Sequence, residues 1–296
     1  LADFNGDGHP DAFIGGEGYY SYNASYNTVW INDGNGFFTD SGQELGDGWT
    51  RGVAVGDFDG DGDNDAVCAN SNQPNRIWLN DGNGEFTASP QSLGVSGADT
   101  QDVAVGDVDN DGTLDLFFAN DDSGTSVYLN DGSGFFIDSM QEAGSTHAEG
   151  VALGDLNNDG FLDACIGYAW PGACRVWMND GNGTFSGGQQ LAGLSTRDVA
   201  LGDINGDGSL DVFTARAYQS PSASANHVFI NDGSGTFVLG NVGHGARTLE
   251  LSTSTSYVAV FGDVNGDGDL DALVGNVNQA NRIWMNKVRG ACCTGD

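Results

Sequence analysis

Apolar residues in this chain come in runs of four to six, separated by stretches rich in Gly, Asp and Asn. Across residues 49–97 the runs are VAVGD (53–57), DAVCAN (65–70), RIWLN (76–80) and EFTAS (85–89). Short runs rich in Val, Ile and aromatics and bounded by turn residues read as β-strands. No segment sustains a 3.6-residue apolar period over 11 residues, so almost no helix is expected. The third and fourth runs are joined by NDGNG (32–36, 80–84, 179–183) or NDGSG (130–134, 231–235). Asp-Gly tolerates the positive φ of tight hairpin turns, and one carboxylate per turn is too few for a metal loop. The pattern predicts a four-stranded antiparallel meander.

That meander recurs. Six copies of D-x-[DN]-x-D-G-x-x-D begin at Asp3, Asp57, Asp107, Asp155, Asp203 and Asp263, at intervals of 54, 50, 48, 48 and 60 residues. Four-stranded units at this spacing imply an all-β fold, a β-propeller of six repeats. The blades fall near 1–48, 49–97, 98–146, 147–194, 195–254 and 255–288, with 289–296 read as a linker or the start of a following Cys-containing module. The chain opens inside a repeat, which predicts an upstream segment, and its last repeat stops after RIWMN (282–286) without an Asp-Gly turn or fourth strand.

Charge narrows the partners. The chain has 42 Asp+Glu against 9 Lys+Arg, a formal net charge of −33. So acidic a surface repels nucleic acid and anionic membranes. Low hydrophobicity with high charge would signal disorder, but 39% of residues are hydrophobic and recur in the strand pattern. No run of 18 apolar residues is present, which excludes a helical membrane span.

The acids are concentrated in the loop between first and second strands, GDFDGDGDNDAV (56–67) in the second repeat. Carboxylates packed so densely repel one another unless a cation offsets them. Calcium takes six to eight oxygens, and alternate side chains of a tight loop converge on one point. Asp57, Asp59, Asp61 and Asp65 would supply carboxylates and Asp63 its backbone carbonyl. A Gly for the sharp turn stands at the sixth position of every copy: Gly8, Gly62, Gly112, Gly160, Gly208 and Gly268. An EF-hand would need Glu at the twelfth position, occupied here by Cys68. Magnesium, which retains waters and takes few protein ligands, fits less well.

The motif G-D-[FVLI]-[DN]-x-D-G-x-x-D followed by an apolar strand resembles the FG-GAP/VCBS repeat family, whose calcium-bearing blades also occur in integrin α-chain propellers and some fungal lectins. The resemblance spans essentially the whole chain. It implies side-chain ligands at the first, third, fifth and ninth loop positions and a carbonyl ligand at the seventh. The sets are Asp3, Asn5, Asp7, His9 and Asp11; Asp57, Asp59, Asp61, Asp63 and Asp65; Asp107, Asp109, Asp111, Thr113 and Asp115; Asp155, Asn157, Asp159, Phe161 and Asp163; Asp203, Asn205, Asp207, Ser209 and Asp211; and Asp263, Asn265, Asp267, Asp269 and Asp271. Six Ca2+ ions follow, one per repeat. Asn at the third position of four copies keeps an oxygen but loses a charge, so those sites are expected to be weaker. The family also implies an extracellular or cell-surface binding module, and a seven-bladed ring, common in it, would need another blade outside this sequence.

A large aromatic recurs in the third strand (Trp30, Trp78, Tyr128, Trp177, Phe229, Trp284), where it is expected to pack blade on blade. Cys165 and Cys174 flank a short loop in the fourth repeat, where a hairpin disulfide is feasible. Ligand recognition is expected where repeats differ, in the second-to-third-strand loops and at the starts of the first strands. Tyr19, Tyr20, Tyr22, Trp170, Arg216 and Tyr218 lie in or beside those loops, and Trp49, Arg51 and Arg197 precede first strands. Aromatics with polar groups suit a carbohydrate or an extracellular protein. A polysaccharide-active lyase or hydrolase is the alternative class, but the four His share no motif and no acid–base set is assembled in sequence. The expectation is a non-enzymatic, lectin-like or adhesion module, one part of a larger protein.

Overall fold

The computed structural model describes residues 1–16, 26–46, 48–94, 97–141, 144, 147–169, 172–191, 195–216, 226–240, 256–277 and 279–286. The architecture is an all-β propeller of six antiparallel blades, with no helix among the described residues. The chain divides into two compact units, Leu1–Ala148 and Glu149–Asp296.

In the first unit, blade 1 holds β1 (Ala12–Ile14), β2 (Thr28–Asn32) and β3 (Phe38–Asp40). Blade 2 holds β4 (Trp49–Gly56), β5 (Asp65–Ser71), β6 (Asn75–Asn80) and β7 (Phe86–Leu93). Blade 3 holds β8 (Thr100–Gly106), β9 (Asp115–Asn120), β10 (Gly124–Asn130) and β11 (Phe136–Asp138). In the second unit, blade 4 holds β12 (Ala148–Gly154), β13 (Asp163–Tyr168), β14 (Ala173–Asn179) and β15 (Phe185–Leu191). Blade 5 holds β16 (Thr196–Gly202), β17 (Asp211–Arg216), β18 (His227–Asn231) and β19 (Phe237–Leu239). Blade 6 holds β20 (Ser256–Gly262), β21 (Asp271–Asn276) and β22 (Arg282–Trp284). Each sheet pairs its strands in chain order, the meander expected from the sequence. Among the described residues blade 1 has only a single bridge between Ala2 and Asp11 in place of an innermost strand, and blade 6 shows three strands.

The second strands β5, β9, β13 and β17 are buried along their whole length. A strand covered on both faces needs an apolar run rather than an alternation, and AVCAN, LFFAN and ACIGY supply it. In the first unit one core cluster joins blades 1 and 2 through Phe4, Phe13, Val29, Cys68, Trp78 and Phe86. A second joins blades 2 and 3 through Phe58, Val67, Ile77, Phe118, Tyr128 and Phe136. Phe4 meets Phe86 edge-on at 5.2 Å between ring centroids, and Phe58 meets Phe136 likewise at 5.8 Å. In the second unit blades 4 and 5 share Leu156, Cys165, Cys174, Val176, Phe229 and Phe237.

The third-strand aromatics Trp78, Tyr128 and Phe229 are buried in these interfaces. Trp30, Trp177 and Trp284 are only half-buried, and Arg175 and Arg282 stack on the latter two. Cys165 and Cys174 are both buried, and their sulfurs lie 2.8 Å apart across the β13–β14 pair. Burial pushes the thiol of Cys68 up to about 12 and that of Cys174 well above its ordinary range.

First strands carry a shift of register one residue before the apolar run, between Thr50 and Gly52, Thr100 and Asp102, Thr196 and Asp198, and Ser256 and Val258. This bulge re-aims the residues at the start of each first strand. At the other end the strands pair up to the acidic loop, with Gly56 opposite Asp65 and Gly202 opposite Asp211. Within each blade the acidic loop and the Asp-Gly turn therefore share one end of the sheet, and the second-to-third-strand loop takes the other.

Candidate functional site

Each acidic loop is shaped by its own aspartates. Asp57 accepts from the backbone N–H groups of Gly60 (2.8 Å) and Gly62 (3.0 Å), and Asp61 accepts from that of Asp63 (3.0 Å). Asp203 does the same with Gly206 (2.7 Å) and Gly208 (2.9 Å). These side-chain-to-backbone bonds turn alternate side chains inward. The sixth-position glycines all have positive φ, from 86° at Gly268 to 97° at Gly62. So does the fourth position, which is Gly in four copies and Asn110 (φ 59°) and Asn158 (φ 60°) in the others. That requirement went unread in the sequence, although only Gly and Asn occur there.

The inward turn gathers charge. Asp57, Asp59 and Asp61 bring carboxylate oxygens within 4.8 Å of one another, and so do Asp107, Asp109 and Asp115. Partial burial, and then the neighbours Asp61 and Asp57, push the Asp59 carboxyl above its ordinary range. Asp109 is pushed up in the same way, by burial and then by Asp111 and Asp107. An all-oxygen, carboxylate-rich donor set held in this way fits a hard divalent cation.

Three of the four loops with Asn at the third position differ; in the sixth, Asn265 points its amide at the Met285 sulfur instead. The side-chain amide of Asn5 donates to Asp7 (3.0 Å), that of Asn157 to Asp159 (2.8 Å) and that of Asn205 to Asp207 (2.7 Å). An amide between two carboxylates lessens their repulsion without a metal. The second and third loops, with Asp at that position, have no such relief built in.

The ninth-position aspartates serve a further purpose. Asp65 accepts from the backbone N–H of Phe58 (2.9 Å) with one oxygen and of Asn80 (2.8 Å) with the other. The same two bonds recur at Asp11, Asp115, Asp163, Asp211 and Asp271. All six are fully buried, and burial raises Asp65, Asp115, Asp163 and Asp211 to about 6. Each ties the acidic loop to the end of the third strand. Carboxylate oxygens have two lone pairs apiece, so the clamp leaves acceptor capacity toward a cation. The seventh-position side chains rest on the Asp-Gly turn of the same blade: His9 over Gly34, Asp63 over Gly82, Thr113 over Gly132, Phe161 over Gly181 and Ser209 over Gly233.

Asparagine closing the third strand was also missed. Asn80 donates to the carbonyls of Phe4 (2.9 Å) and Asn64 (3.1 Å), which bolts blade 2 to the acidic loop of blade 1. Asn130 repeats this on Phe58, Asn231 on Leu156 and Asn286 on Ile204. The signal was in the sequence, where Asn ends the third run in all six repeats.

Of the residues expected to meet a ligand, Tyr19, Tyr20, Tyr22, Trp170 and Tyr218 lie outside the described residues. Trp49 is half-buried and Arg51 exposed at the start of β4. Arg197 forms an ion pair with Glu149, not with the neighbouring Asp198, and stacks over Tyr257 at 5.0 Å. Asp198 turns inward instead and accepts from the backbone N–H of Ala259 (2.7 Å) and Val199 (2.8 Å). Arg216 is interior to blade 5, 4% exposed and 3.2 Å from the His227 ring, rather than displayed on a loop. His147 contacts the Asp121 carboxylate at 2.6 Å.

A family model described as FG-GAP-like repeat matches the chain five times, over residues 3–68, 57–118, 107–166, 164–214 and 203–274. None of the curated proteins matches the chain. Among solved structures, a crystal structure of BBS1N in complex with ARL6DN, soaked with lead, is similar at a TM-score of 0.57 and 13% identity, covering 95% of this chain and 77% of that one. At that identity the likeness concerns the fold alone.

Proposed function

This chain belongs to the FG-GAP-like repeat family, and we propose that it is a calcium-stabilised binding or adhesion module, extracellular or on the cell surface, that recognises a carbohydrate or protein partner. The observation that supports the metal most directly is the approach of Asp57, Asp59 and Asp61 to within 4.8 Å in a chain of net charge −33. Asp57, Asp59, Asp61 and Asp65 would hold Ca2+ in the second loop with the Asp63 carbonyl, and the corresponding residues would hold it in the other five. Bound there, the ion would neutralise the facing carboxylates. The chain's own part is to present oxygens through Asx-type turns and to anchor the loop through the ninth aspartate. Modules of this kind typically bind calcium at roughly 0.1–1 mM, which suits an extracellular setting.

Partner recognition is assigned to the opposite ends of the blades, where the loops differ between repeats and the acidic motif is absent. In the second unit Glu149, Arg197 and Tyr257 stand there at equivalent positions of the successive first strands β12, β16 and β20, and in the first unit Arg51 stands at the start of β4. A glycan array probed with the calcium-loaded chain, beside a pull-down from an extracellular-matrix extract, tests the reading. Saturable hits on either, lost in chelator, support it. Two blank results, or turnover of a polysaccharide by the purified chain, would replace it with another function.

A further inference from the structure

The Asp-Gly turn of blade 4 differs from the other four in one respect. Every such turn has Asn or Ser at its fourth position: Asn35, Asn83, Ser133, Asn182 and Ser234. Two residues further on stand Phe37, Glu85, Phe135, Thr184 and Thr236. Blade 4 alone places Thr two residues after Asn, so Asn182-Gly183-Thr184 is an N-x-T triplet with no proline at its centre, the acceptor pattern for N-linked sugar. Turn geometry does not demand the pair. Blades 1 and 2 close with Phe or Glu after the Asn, and blade 5 closes with Ser before the Thr.

The fold holds this triplet out to solvent. β14 ends at Asn179 and β15 begins at Phe185, so the triplet lies in the hairpin connection, and Asn182 and Thr184 are both exposed. Asp180 sets the shape of the turn. Its carboxylate accepts from the backbone N–H groups of Asn182 (3.0 Å) and Thr184 (3.3 Å), and its own N–H donates to the Thr184 carbonyl (3.1 Å). The Asn182 side-chain amide donates to the Asp180 carbonyl at 3.3 Å, which uses one of its two N–H groups. An Asn joined to a sugar keeps one amide N–H, so the turn can retain this bond after modification.

We propose that Asn182 carries an N-linked glycan when the chain is exported, which rests on the extracellular setting proposed above. The donor is an oligosaccharide joined to a lipid through a diphosphate, supplied with its transferase by a secretory compartment. The Asn182 Nδ2 forms a bond to the anomeric carbon of the sugar while the bond from that carbon to the diphosphate oxygen breaks. The lipid diphosphate leaves with the electron pair, and the Nδ2 proton passes to a base of the transferase. A glycan is bulky and hydrophilic. The turn and the acidic loop share one end of blade 4, so the glycan would screen that end from large partners and leave the opposite end open to them. A second triplet, Asn23-Ala24-Ser25, lies outside the described residues.

The test is made on the full chain exported by cultured eukaryotic cells and on the protein isolated from its own source. An amidase that releases N-glycans, used in heavy-oxygen water, turns each occupied Asn into a labelled Asp that peptide mass spectrometry locates. Label should appear at Asn182 in both preparations, separately from any label at Asn23. It should vanish from Asn182 in the exported Thr184→Ala variant, which keeps the backbone hydrogen bonds of the turn. An unlabelled Asn182 in either preparation would overturn the proposal, as would label that persists in Thr184→Ala. Calcium-dependent melting and capture are followed on the same exported chain. An unlabelled Asn182 in protein that still melts higher in calcium and captures a partner would remove the glycan while sparing the binding-module reading.

Discussion

The backbone N–H of Asn80 donates to the Asp65 carboxylate at 2.8 Å, and the other Asp65 oxygen takes the N–H of Phe58. One buried side chain thus holds the acidic loop, the second strand and the third strand together through direct hydrogen bonds. Asp61, exposed in the same loop, bonds only locally, to Asp63. The two aspartates should therefore respond differently to chelation. Asp65→Asn turns an acceptor into a donor against a buried N–H and should cost roughly 1–3 kcal/mol in chelator, and more in calcium, where it also removes a charged metal ligand. Asp61→Asn should destabilise in calcium but be neutral or stabilising in chelator, where it removes repulsion. Urea unfolding of both variants in each condition measures this; equal losses at Asp61 in the two conditions would contradict it.

Calcium should be part of the fold's stability. Loops two and three carry four carboxylates at ligand positions and the other four carry three, so the apo chain keeps these charges in close contact. A ligand that binds only the folded state stabilises it by mass action. The melting temperature should rise with calcium up to millimolar concentration and fall on adding EGTA. Elemental analysis should give six ions per chain, and two or fewer would refute the count.

Loops two and three, with Asp at the third position, should fill first. Asp59→Asn and Asp109→Asn would convert them to the type that holds Asn157 against Asp159. Calorimetric titration of the double variant should show one class of sites where the unaltered chain shows two. Two unchanged classes would assign the difference to another feature.

Much of this was legible because repeats report on themselves. Alternation of strand runs with Asp-Gly turns defined the meander, and six loops in register defined where the acidic side chains gather. The clamp at Asp65 was hidden because a carboxylate at the ninth position satisfies a metal pattern and a backbone pattern equally. The partners of Arg197 were hidden for a different reason. Its partners Glu149 and Tyr257 occupy the equivalent first-strand positions of the adjacent blades, so contact runs from repeat to repeat and not along the sequence. Arg216 looked like a loop residue by position, yet it ends β17, a strand buried throughout.

Cys165 and Cys174 are nine residues apart, with sulfurs in contact between β13 and β14. In an oxidising compartment they should form a disulfide, as is usual for secreted domains. Closing a loop of that size is worth on the order of 2–3 kcal/mol. Protein refolded in air should give a cross-linked Cys165–Cys174 peptide on digestion without reductant and melt higher than the Cys165→Ala, Cys174→Ala double variant. Cys68 should stay unmodified, since burial keeps it a thiol. Full alkylation of Cys165 in the unfolded, unreduced chain would exclude the bridge.

Asp198 offers a test by pH. Its carboxylate is buried between blades 5 and 6, bonded to the backbone N–H groups of Ala259 and Val199, while the adjacent Arg197 is committed to Glu149. Burial raises it from the ordinary 3.8 to about 6. Between those values the folded chain binds a proton that the unfolded chain does not, so this residue's contribution to stability increases as pH falls. Above about 6 both states are ionised and the burial penalty is fully present. Asp198→Asn removes the titration but leaves every other acid in place. The stability of the unaltered chain relative to this variant should therefore grow on going from pH 7 to pH 4.5, by about 2 kcal/mol. Paired urea unfolding curves at the two pH values measure the difference directly, and a gap that narrows toward acid would show that the Asp198 carboxylate is stabilised where it sits.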